Sequence, residues 1–213
     1  MHPKTIPIPQ GPIQALLFDL GGVVVDIDFN RAFAHWQPML RLSLAELKAT
    51  FTFDVPYQRH ERGEITAAEY FAHLAQHLQL HDDPAQIAEG WNSIFIDEIT
   101  KTRRMVEAAR AKLPCYAFTN TNAAHQAAWT KRFPVVVQAF DRVFVSSEIG
   151  HRKPDRSAFE FVAQSIGVPI ESVLFFDDSL ANVEGALAAG LEAVHVRGPA
   201  DVKAALKELG CEV

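Results

Sequence analysis

The stretch LLFDLGGVVVDID, residues 16–28, decides the fold. An apolar run stops at one acid, Asp19, two glycines follow, and the chain then turns apolar again. A short run of this kind, bounded by turn residues, reads as a strand buried on both faces. Comparable runs occur at Ile13 to Phe18, Cys115 to Phe118, Val143 to Val145, Val173 to Phe176 and Ala193 to Val196. Helical patterns separate the later ones, at Ala123 to Arg132, Arg156 to Ile166, Leu180 to Ala189 and Val202 to Leu209. Strand and helix alternating in this way predict an α/β fold, a Rossmann-like, doubly wound parallel sheet.

The interval from residue 30 to about 112 breaks the rhythm, with no segment that reads as a strand. Ser43 and Glu46 have the spacing of a capping box, as do Thr66 and Glu69, and Asp83 before Pro84 fits an N-cap and first helical residue. The interval is therefore expected to form about four helices inserted after the first strand, with a last helix near Glu98 to Lys112 returning to the sheet. The expected division is a core of residues 1–28 and 98–213 and an inserted α-helical cap of residues 29–97.

In an open α/β sheet, ligands bind beyond the carboxyl ends of the strands. The polar residues there are Asp19, the run Thr119-Asn120-Thr121, and the pair Asp177-Asp178, joined by Lys153 in GHRKPDRS before a helix. Taken singly, each has a plainer reading as a turn, cap or surface residue. Together they place carboxylates, a hydroxyl, an amide and one ammonium on one edge, the chemistry of a hard divalent cation beside an anion.

The motifs FDLGGVVVD, FTNTN, RKPD and FFDDSLANVEGALAAG, in that order and with a helical insert after the first, resemble the four motifs of the haloacid dehalogenase-like hydrolases. DLGGVVVDIDFNR with HERGEIT is most similar to a bacterial branch that includes α-D-glucose-1-phosphate phosphatase. The resemblance implies a phosphatase of small phosphorylated metabolites, with sugar phosphates such as glucose-1-phosphate as expected substrates. It implies that Asp19 is a nucleophile forming an aspartyl-phosphate, that Thr119 and Asn120 hold phosphate oxygens, and that Lys153 neutralises charge. Mg²⁺ is the implied cofactor, held by Asp19, the Gly21 carbonyl and Asp178, with Asp177 as a supporting or alternative ligand. Gly22 is expected to give the loop room to bring backbone N–H groups near the phosphate.

The chain departs from the family pattern at Gly21. Many phosphatases of the family carry an aspartate two residues after the nucleophile, serving as acid for the leaving group and base for the water. Glycine keeps the backbone carbonyl but loses that carboxyl, a contribution of roughly 10²- to 10⁴-fold. Leaving groups that depart without a proton are then expected to be favoured: anomeric sugar phosphates, acyl phosphates and aryl phosphates. Asp26, His60 and Glu61 are the residues weighed as replacements; Asp26 is expected to order the hinge to the cap, and His60 and Glu61 to lie in a solvated loop. A metal-independent 2-haloacid dehalogenase and a non-catalytic phospholigand-binding scaffold are the alternative readings.

Composition narrows the classes further. With 20 Lys and Arg against 26 Asp and Glu, the net charge of −6 argues against a nucleic-acid surface. No segment has the length of a membrane span, and MHPKTIPIPQGP does not read as a signal peptide, so a cytoplasmic protein is expected. Cys115 and Cys211 are too few for a disulfide framework and read as a core thiol and a tail thiol. Either a monomer or a homodimer suits the sequence.

Overall fold

The computed structural model describes residues 12–40, 42–80 and 83–213; the N-terminal stretch weighed as a signal peptide lies almost wholly outside them. Five parallel strands form one sheet in the order β5-β4-β1-β6-β7. They are β1 (Ala15–Phe18), β4 (Cys115–Thr119), β5 (Arg142–Val145), β6 (Val173–Asp177) and β7 (Glu192–His195). All five coincide with the apolar runs read from the sequence.

Side chains alternate across a strand, and β1 divides accordingly. Leu16 and Phe18 face one core with Leu174 and Phe176, closed by Met105 and Val106 of helix Thr100–Ala109 and by Val202 and Leu206 of helix Pro199–Glu208. Ala15 and Leu17 face a second core with Val173 and Phe175, covered by Phe159 and Val162 of helix Arg156–Ile166 and by Val183 and Ala186 of helix Leu180–Ala189. Helices on both faces make the sheet doubly wound. Three strands whose faces are apolar on both sides read as continuous runs for that reason.

Between β1 and β4 lies the inserted helical cap: helices Asn30–Trp36, Leu44–Thr50, Val55–Glu61, Ala67–Leu78 and Pro84–Asn92. Both capping boxes form, and Asp83 caps its helix through a bond from the Ala85 N–H. The cap packs around Trp36 and Trp91, stacked at 6.4 Å and both fully buried. Gly90 permits this approach, because a Cβ there would overlap the Trp36 indole.

One expectation is corrected. The interval does contain a strand, β3 (Phe95–Glu98), which pairs antiparallel with β2 (Val25–Ile27). These two short strands carry the chain out of the core and back. Each is only three or four residues long and half exposed, so neither gives the unbroken apolar run by which the core strands are read. Among the described residues, no helix is long and apolar enough to cross a membrane. Cys115 and Cys211 are both buried free thiols, so the tail thiol is also a packing residue.

Candidate active site

The strand register sets the site. Phe18 pairs with Phe176 across β1 and β6, so Asp19 and Asp177 leave the two strands side by side. Both lie next to the point where the strand order reverses, with β4 on one side of β1 and β6 on the other.

Beyond Asp19 the chain closes into a compact turn, in which Val24 and Val25 both donate to the Leu20 carbonyl at 2.8 Å. Gly22 donates its N–H to the Val25 carbonyl at 2.8 Å and takes a left-handed φ of 74°. Its own N–H is thus committed within the turn. The room it provides goes to Asp178, whose carboxyl would overlap a Cβ at position 22. Gly22 therefore admits a carboxylate into the site as well as permitting the turn.

Lys153 stands at the centre, fully buried. Its ammonium donates to Asp177 Oδ2 at 2.7 Å and to the Phe118 carbonyl at 2.8 Å, and pairs with Asp19 Oδ1 at 2.9 Å. Three protons thus have three acceptors, which holds the ammonium in place. Burial alone would lower its pKa, but the two carboxylates raise it, so it stays charged.

Asp177 is equally committed: Oδ1 accepts from the Ser179 N–H at 2.8 Å, and both oxygens accept from Asn182 Nδ2 at 3.1 Å. Asn120 forms a reciprocal pair with Lys153, Oδ1 accepting the Lys153 N–H and Nδ2 donating to its carbonyl, both at 2.8 Å. Its side chain fixes the backbone that presents the lysine. Thr119 is buried at the end of β4 and borders the cavity described below.

Asp19 Oδ1 also accepts the Leu20 N–H at 2.7 Å. The Asp19 carboxyl is pushed up to about 7, by burial above all, with Lys153 lowering it and the charges of Asp177 and Asp178 raising it. Asp178, which is exposed, is likewise raised, by partial burial first and then by Asp177. Carboxylate oxygens of Asp19, Asp177 and Asp178 lie within 4.8 Å of one another. Among the described residues, three acids have one ammonium beside them, so the cluster is short of positive charge. Its donors are all hard oxygens, the set that suits a small divalent cation.

A cavity of about 430 Å³ borders Lys153 beside this cluster and extends toward the cap. Its floor includes Gly21, Thr119, Asn120 and Lys153, and its cap side includes Phe29, Phe53 and Tyr57. At one wall Glu61, buried at the end of helix Val55–Glu61, pairs with Arg152 of the core, with Arg152 Nε and Nη2 at 2.9 and 2.8 Å from Glu61 Oε2.

The residues weighed as replacement acids fare differently. Asp26 is exposed on β2 and does not border the cavity. His60 is buried in the cap, stacked on Tyr70 at 4.6 Å, with neither ring nitrogen hydrogen-bonded among the described residues. Burial pushes it down to about 4. The expected solvated loop is in fact a packed helix end, and of the two residues Glu61 alone borders the cavity. Sequence reasoning missed Arg152, Asn182 and Ile27. Adjacency to Lys153 and a place one helical turn beyond Asp177 are the signals that mark the first two; Ile27 carries none.

The chain matches the family described as haloacid dehalogenase-like hydrolase over residues 13–190. It is 28% identical to a drimenol cyclase of Aspergillus calidoustus over 85% of this chain, though it spans only 34% of that protein's length. It is 24% identical to a D-ribitol-5-phosphate phosphatase of Bacteroides thetaiotaomicron, covering 89% of this chain and 94% of the relative. A solved structure of a HAD family enzyme from the same bacterium, in complex with magnesium and inorganic phosphate, superposes with a TM-score of 0.74 at 27% identity, over 85% of this chain and 92% of that one.

Proposed function

The chain belongs to the haloacid dehalogenase-like hydrolases, and on that premise we propose that it is a Mg²⁺-dependent phosphatase of small phosphorylated metabolites, acting through an aspartyl-phosphate on Asp19. The observation that carries this reading is the cluster of Asp19, Asp177 and Asp178 around the single ammonium of Lys153. In this reading the cap spans residues 29–97 and the core residues 1–28 and 98–213.

Asp19 and Asp178, with the Gly21 carbonyl, would hold the ion. Asp177 is occupied by Lys153, Ser179 and Asn182, which favours a positioning role for it. Mg²⁺, when bound, supplies positive charge to the phosphoryl oxygens and to the attacking carboxylate. Lys153 and the Leu20 N–H both contact Asp19 Oδ1, fixing the carboxylate and leaving Oδ2 as the attacking oxygen. The Asp19 oxygen forms a bond to phosphorus as the ester oxygen leaves with the bonding electrons; water then attacks phosphorus and frees the carboxylate and inorganic phosphate. Thr119 and the chain at Asn120 border the non-transferring oxygens, and Lys153 offsets the charge that accumulates as carboxylate approaches phosphate.

With no carboxyl at Gly21, substrates whose leaving group departs unprotonated suit the site, anomeric sugar phosphates such as glucose-1-phosphate and aryl phosphates among them. Release of phosphate from an aryl phosphate, with and without EDTA, tests the reading. Loss of release in EDTA and in Asp19→Asn is expected. Chloride release from a 2-haloacid that is insensitive to EDTA supports a dehalogenase instead, and no turnover of either supports a binding scaffold.

A further inference from the structure

Resting on the phosphatase reading, we propose that the organic part of the substrate is apolar, an aryl group, and that the cap cavity selects it over a sugar. The leaving-group argument admits both classes; the cavity wall separates them. Away from the phosphate end it is built from Ile27, Phe29, Phe53, Ile94, Phe95 and Trp129.

Of the polar side chains on the lining, Glu61, Tyr57, His125 and Gln58 are already engaged. Glu61 is paired with Arg152, and the Tyr57 hydroxyl interacts with Glu61. His125 is hydrogen-bonded through Nε2 to the Trp91 carbonyl at 2.9 Å, which makes that nitrogen the donor. Gln58 donates to the Phe53 carbonyl at 3.3 Å. A hexose entering this space would exchange water for apolar wall at several hydroxyls, each at a cost when unpaired. A hydrocarbon gains from the same exchange.

Phe53 adds a second observation. It is 58% exposed although it lies at 4.8 Å from the Tyr57 ring and 5.8 Å from the Phe29 ring. An aromatic surface left open at a cavity mouth is one that an apolar ligand would cover. The volume of about 430 Å³ lies within the range of small-molecule sites, roughly 300–1,000 Å³. Ile27, from β2, brings the apolar wall up to Gly21 itself.

The test is a series of 4-alkylphenyl phosphates from methyl to butyl, whose leaving groups are nearly equal in acidity, assayed with glucose-1-phosphate on the full chain in Mg²⁺. Expected is a rise in kcat/KM of roughly two- to fourfold per methylene, carried by KM, ending roughly tenfold or more above glucose-1-phosphate. Phe53→Ser should flatten the rise. Metal-dependent release from every aryl phosphate with a flat or falling series, or with glucose-1-phosphate preferred, overturns the proposal and leaves the phosphatase reading intact. Absence of metal-dependent release from all members removes the phosphatase reading, and this proposal with it.

Discussion

Ile27 Cδ1 occupies the space that a side chain at Gly21 would enter: a Cβ built there would lie 2.8 Å from it. A methyl group from the strand that leads into the cap thus stands against the position that lacks a side chain. Gly21→Asp alone must turn that terminal methyl aside, at about 0.5–1.5 kcal/mol where it leaves its rotamer. The double variant Gly21→Asp, Ile27→Ala relieves it. On an alkyl ester such as glycerol-3-phosphate, the double variant should gain turnover over the parent, by up to roughly 10²- to 10⁴-fold, and exceed Gly21→Asp alone. Steady-state rates on that ester and on an aryl phosphate check this; equal rates in parent and double variant would show that acid assistance is not what limits alkyl esters.

Asp177 and Asp178 are adjacent but differently used, and their amide variants should separate. Asp178→Asn, and Gly22→Ala through overlap with the Asp178 carboxyl, should raise the Mg²⁺ concentration needed for half-maximal activity. Asp177→Asn should lower kcat and stability through Lys153 with a smaller change in Mg²⁺ requirement. Metal titrations of the three variants decide it, and a larger Mg²⁺ effect in Asp177→Asn would reverse the assignment.

Arg152 and Glu61 join core to cap through a buried pair. Arg152→Met leaves the Glu61 carboxyl buried without its cation, a loss of about 3–5 kcal/mol for pairs of this kind, lessened where the acid protonates. Burial already raises the Glu61 pKa. The double variant Arg152→Met, Glu61→Gln should recover much of the loss in urea unfolding. Additive effects of the two changes would mean that they act independently.

Acid should destabilise the fold through its buried histidines. Burial pushes His60 down to about 4 and His125 to about 3, against an ordinary value near 6.5. Between pH 6.5 and 4 the unfolded chain binds protons that the folded rings refuse, so stability is fully present above pH 6.5 and declines as pH falls. Each group contributes up to about 1.4 kcal/mol per pH unit. His60→Phe keeps the stack on Tyr70 and should reduce the loss between pH 6.5 and 4.5, measured by urea unfolding. An unchanged loss would assign the acid sensitivity elsewhere.

The sheet and the acids at its edge are legible in the residue pattern alone. Core strands buried on both faces must be apolar throughout, so β1, β4 and β6 stand out as runs, the edge strands β5 and β7 carry shorter ones, and polar residues that end such runs fall at one edge by topology alone. Asp19, Lys153 and Asp177 were legible for that reason. The strands β2 and β3 were not, being short and half exposed. Tertiary structure alone decided that Asp177 is bound up with Lys153 and Asn182 while Asp178 reaches in over Gly22, because neighbouring carboxylates look alike until their partners arrive from other elements. It also decided the wall: Ile27, Phe53 and Trp129 come from separate parts of the chain, and their apolar character alone cannot tell a packed core from the lining of a cavity.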